Sequence, residues 1–78
     1  MFDFYKAIKN GVIVEIKPHR PDMMNYASAK FYQDEKGHVC SENHYVGRCD
    51  IDSIKTPDEI NQHFQNMIEE HFQIIITA

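Results

Sequence analysis

Apolar and polar positions along this chain form several short alternations and one long helical stretch near the end. Residues 11–17 read as a strand, with Val12, Val14 and Ile16 alternating against Ile13, Glu15 and Lys17. Pro18-His19-Arg20-Pro21-Asp22 breaks that pattern as a connection, and Met23 and Met24 are expected to fill gaps after it. Residues 27–33 form the next strand, placing Ala27, Ala29 and Phe31 on one face and Tyr26, Ser28, Lys30 and Tyr32 on the other. Asp34-Glu35-Lys36-Gly37 supplies a tight turn with glycine at its left-handed position. Residues 38–42 return from it. After a bend at Ser41-Glu42-Asn43, residues 44–51 continue that strand or form another.

Thr56-Pro57-Asp58-Glu59 then spells a helix start. Thr56 is the N-cap, Glu59 completes a reciprocal capping box, Pro57 takes the first helical position, and the acidic pair faces the positive end of the helix dipole. Ile60, Phe64, Met67, Ile68 and Phe72 recur at helical spacing, so the helix is expected over about 57–72, with Ile54 a candidate to staple onto Ile60. Gln73-Ile74-Ile75-Ile76-Thr77 is a β-branched run expected as a last strand or a docked extended tail. Asn10-Gly11 near the start serves either a hairpin turn or a helix C-cap. The hairpin matches Lys6 with Glu15 and Ile8 with Ile13, and so short a helix nucleates poorly, which favours the hairpin. The expected fold is α+β: an antiparallel sheet of 4–5 strands, one long helix on one face and a short C-terminal strand, in a single domain spanning 1–78.

Composition narrows the function classes. Seventy-eight residues with 42% hydrophobic content make one small folded unit with a barely sufficient core. A formal charge of −4, with the acidic residues scattered, disfavours direct nucleic-acid binding and does not reach DNA mimicry. Two cysteines are no disulfide framework, and neither a leader nor a membrane-length apolar run is present, so a soluble cytoplasmic protein is expected.

Candidate chemistry is thin. His38, Cys40, His44 and Cys49 place four possible zinc donors within twelve residues. Their spacing lacks the paired knuckle of strong zinc sites, and buried structural cysteine is the commoner use. Asp50 and Asp52 lie on one side of an extended segment, suited to a cation, to the helix N-terminus or to a basic partner. His63 and His71, with Glu59 and Glu70, read as a solvated helix face beside Asn61, Gln62, Gln65, Asn66 and Glu69. No catalytic set and no cofactor is expected. Tyr26 and Tyr32, with Lys30 between them, are the candidate contact residues, because large rigid rings on an open sheet suit recognition. Packing of the N-terminal segment over them is the alternative.

Asn25-Tyr26, Lys30-Phe31-Tyr32 before an acidic glycine turn, Val46-Gly47-Arg48, Asp50-Ile51-Asp52-Ser53 and the amphipathic helix together resemble the small phage-encoded type I-F anti-CRISPR proteins over roughly residues 25–72. The resemblance implies a non-enzymatic inhibitor in the host cytoplasm that binds a CRISPR effector subunit and blocks target-DNA hybridisation. It implies Tyr32 as an interface residue, with Glu42 matching an acidic contact. The chain departs from that family in the N-terminal hairpin, a longer turn at 34–37 and the 74–77 run. A second resemblance, carried by the hairpin from Phe31 to Val39, the return through 46–51, the capped helix and Ile74–Ile76, is to HicB-type antitoxins, which implies a small toxin as partner. A small zinc-binding module is the third reading. A monomer and a homodimer are both compatible with the sequence.

Overall fold

The carboxylate of Asp3 accepts the N–H of Lys6 at 3.0 Å and caps helix α1, Phe4–Lys9. At the other end Gly11 donates to the carbonyl of Ile8 at 3.0 Å and Val12 to that of Ala7 at 3.1 Å. With Gly11 at φ +99°, these bonds make a Schellman stop. The expected N-terminal hairpin therefore does not form, and Asn10-Gly11 ends a helix. A six-residue helix does not stand alone, and docking holds this one. Ile8 is fully enclosed, and the ring of Phe4 stacks on Phe64 with centroids 4.6 Å apart. That burial outweighs the lost match of Lys6 with Glu15.

The computed structural model describes residues 2–19, 28–70 and 72–77. After α1 come β1 (Ile13–Pro18), β2 (Ala29–Gln33), β3 (Val39–Asn43), β4 (Gly47–Asp50), a 3-10 turn (Ile51–Ser53), α2 (Pro57–Glu69) and β5 (Phe72–Thr77). The five strands make one antiparallel sheet in the order β4-β3-β2-β1-β5. Residues 34–37 turn as expected, with Gly37 at φ +83° and Asp34 accepting the N–H groups of Lys36 and His38. The bend expected at 41–43 falls later. Strand β3 runs to Asn43, whose side-chain oxygen accepts from Tyr45 and Val46 at 2.9 and 2.7 Å and closes the turn into β4.

Helix α2 begins at the expected capping box. Glu59 N–H donates to Thr56 Oγ1 at 3.2 Å, and Thr56 N–H to Glu59 Oε1 at 2.9 Å. It ends at Glu69, short of the expected 72, because Phe72 opens β5 and pairs with Pro18 on the edge of β1. Ile54 is 66% exposed and staples nothing, while Ile51 enters the core from the 3-10 turn. One face of the sheet carries the core: Val14 and Ile16 of β1, Phe31 of β2 and Val39 of β3 pack with Ile51 under Phe4, Ile8, Ile60 and Phe64. Phe31 meets Phe64 edge-on at 4.6 Å, so both helices lie on that side. Among the described residues no helix is long and apolar enough to cross a membrane. Met23, Met24, Tyr26, Ala27 and His71 lie outside the described residues.

Candidate functional site

The side chains opposite the core follow from the strand period and register. Glu15, Lys30, Glu42 and Arg48 stand opposite one another on β1, β2, β3 and β4, a rung of alternating charge. Tyr32 lies beside it. Its hydroxyl donates to Glu42 Oε1 at 2.9 Å, and the Lys30 ammonium sits 5.1 Å from its ring centroid. The bond to Glu42 holds the Tyr32 hydroxyl above its usual pKa, with burial and the Glu42 charge adding to it. The structure thus gathers three of the expected contact residues, Lys30, Tyr32 and Glu42. Tyr26 lies outside the described residues. Helix α1 packs on the other face and so does not cover Tyr32.

Next to this cluster the β2–β3 turn and β4 enclose a charged hollow lined by Tyr32, Asp34, His38, Arg48 and Asp50. Asp34 organises it. Its Oδ1 accepts from the backbone of His38 and Lys36, at 2.8 and 3.0 Å, and its Oδ2 from Arg48 Nη2 at 2.6 Å. The His38 N–H is the main reason its carboxyl lies below the usual range. His38 Nδ1 meets Asp50 Oδ2 at 2.8 Å. Cys40, on the same side of β3, is fully enclosed, and Arg48 Nη2 approaches its sulfur at 3.4 Å. Desolvation pushes its pKa up, so the thiol stays protonated and is a poor nucleophile at neutral pH.

The candidate zinc set does not assemble. His38 and Cys40 share the open face, Cys49 packs against the core, and His44 lies in the β3–β4 turn against Tyr45, ring centroids 5.2 Å apart. Among the described residues, Asp34, His38 and Asp50 are the group whose donor atoms converge, all within 4.8 Å. The Arg48 guanidinium already occupies Asp34, which favours an ion-pair cluster over a cation site. Asp50 and Asp52 diverge rather than sharing one side. Asp52 lies in the 3-10 turn and accepts from the Tyr5 hydroxyl at 2.9 Å, with the Lys9 ammonium 3.8 Å away, so it fastens α1.

The presumed solvated face of α2 also holds structure. Asn61 accepts the Tyr5 N–H at 2.9 Å and donates to Asp3 at 2.9 Å, bridging the two helices. His63 is half-buried beside Phe31. Sequence reading missed the β3–β4 tip, where Tyr45 and Val46 stand 65% and 77% exposed beyond Glu42 and Arg48. Their signal was Asn43 four residues before Gly47, which makes a rigid turn that projects whatever lies between. No family model, curated protein or solved structure matches this chain.

Proposed function

We propose that this chain is a non-enzymatic binding protein that occupies a protein partner through the open face of its sheet, centred on Lys30, Tyr32 and Glu42. The observation that carries this is the Tyr32 ring, fixed between a cation and a carboxylate on a face that neither helix covers. A prepositioned ring contributes contact area at little entropic cost. The interleaved Glu15, Lys30, Glu42 and Arg48 suit a protein surface of mixed charge. A nucleic-acid backbone would meet the carboxylates of the same rung, which speaks against direct nucleic-acid binding. Stoichiometric inhibition is the mode that asks least of such a face. The narrower reading, a CRISPR effector subunit as partner, rests on the resemblance to type I-F anti-CRISPR proteins and on the place of Tyr32 in it.

Tyr32→Ala is expected to weaken binding of a captured partner by about 2 kcal/mol, in the range of interface hot spots. The thermal midpoint should barely move. Calorimetric titration and a melting curve on the same preparation separate the two effects. Equal loss of folding would make Tyr32 a structural residue. For the narrower reading, purified type I-F surveillance complex is titrated with the protein and target-DNA capture is followed by gel shift. Undiminished capture at saturating protein removes that partner and leaves the wider reading to the Tyr32→Ala titration.

A further inference from the structure

The two edges of the sheet are built differently. Strand β4 is four residues long, begins at Gly47 and carries Arg48 and Asp50, devices that blunt an edge against pairing. Strand β5 runs for six residues, Phe-Gln-Ile-Ile-Ile-Thr, with no charge and no proline. Only β1 pairs with it among the described strands. Its other side presents the N–H and C=O groups of every second residue. Ile76, on the helix side, is 48% exposed there.

We infer that β5 is the docking edge for a second copy of this chain, joining two five-stranded sheets into one continuous sheet through antiparallel β5–β5 pairing. Three observations select this occupant. First, a two-fold axis perpendicular to the sheet keeps both copies' helices on one side, and such an axis passes midway between one residue of the strand and its own copy. Centred on Ile75, it sets Ile75 against itself on the open face and Ile74 against Ile76 on the helix face, so the three consecutive isoleucines complete one another. Second, no charge within β5 meets its own copy. Third, Glu69 and Glu70, just before β5, fall at opposite ends of an antiparallel seam whose Phe72 ends alone lie roughly 20 Å apart at strand rise, well beyond screening distance. A parallel seam would set them side by side. Both open faces then point the same way. The inference does not depend on what the open face binds.

The test is the mass of the intact protein by light scattering after gel filtration, across a concentration series from about 10 µM to 500 µM. The expected result is a shift toward twice the chain mass as concentration rises. Ile75→Lys places like charges directly opposite across the seam and should return the monomer mass throughout. Ile75→Cys gives a readout that survives any folding defect of the lysine variant. Mild oxidation should link two chains through the introduced thiols, identified by peptide mass, whereas Gln73→Cys, placed opposite Thr77 of the second copy, should not self-link. A constant monomer mass for the unmodified chain overturns the inference, as does a dimer that Ile75→Lys leaves intact or equal self-linking by both cysteine variants.

Discussion

His63 sits beside the rings of Phe31 and Phe64, at centroid distances of 6.1 and 6.2 Å, on the margin of the α2 stripe. Burial pushes its pKa below the ordinary imidazole value, and the Lys55 charge pushes the same way. The unfolded chain takes up this proton near pH 6.5, the folded chain only lower. Between those two values the unfolded state binds more protons, so stability falls as pH drops through that window and is unaffected above it. Asp34 and Glu59, whose carboxyls backbone N–H groups hold below their usual range, add a separate loss at more acidic pH. Urea midpoints are therefore expected to fall in two stages, the first beginning as the pH drops below the ordinary imidazole value of about 6.5. His63→Gln should flatten the first stage and keep the second. An unchanged first stage in the variant would overturn the assignment to His63.

At the scale of elements, the capping box of α2 is local in sequence and local in structure. Thr56→Ala removes the acceptor of the Glu59 N–H and is expected to cost about 1 kcal/mol, with Thr56→Ser nearly neutral. A lowered urea midpoint at constant denaturant slope checks it; a changed slope would mean that the helix start reorganised. Features of this kind were legible in the sequence: the cap, the alternation of Val14 and Ile16, the glycine turn at Gly37, and the opposite facing of Phe31 and Tyr32. Others were not, because tertiary contacts decide them. Asn10-Gly11 fits both a hairpin turn and a helix stop, local pairing favours the hairpin, and only the docking of Phe4 and Ile8 selects the stop. The α2 stripe continues in period to Phe72, and only the free edge of β1 draws that residue into a strand. The Tyr32 cluster could be anticipated from the strand period. The hollow could not, since the partners Asp34 and Arg48 meet only once β2, β3 and β4 are in register.

The whole molecule divides its tasks between the two faces of one sheet. Stability comes from the helix side, where Phe4, Phe64 and Phe31 form a run of rings joining α1, α2 and β2. Among the described residues nothing comparable covers the open side, so a chain of this size relies on one thin core and has little stability to spare. Phe64 lies at the centre of that run and is fully enclosed. Truncating it should cost about 3–5 kcal/mol, enough to unfold much of the population. Phe4 lies at the end of the run, on a helix also fastened by Tyr5 to Asn61 and Asp52. Phe4→Ala is accordingly expected to loosen α1 before the sheet. Hydrogen exchange should rise first at the α1 amides, while those of β2 and β3 keep most of their protection. Below its melting temperature that variant is expected still to bind a partner through Tyr32, the reverse of Tyr32→Ala, which is expected to keep its fold and bind more weakly. If Phe4→Ala raised exchange equally in α1, β2 and β3, the helix would be an inseparable part of the cooperative unit. If it abolished binding while the sheet stayed protected, the contact surface would have to include α1.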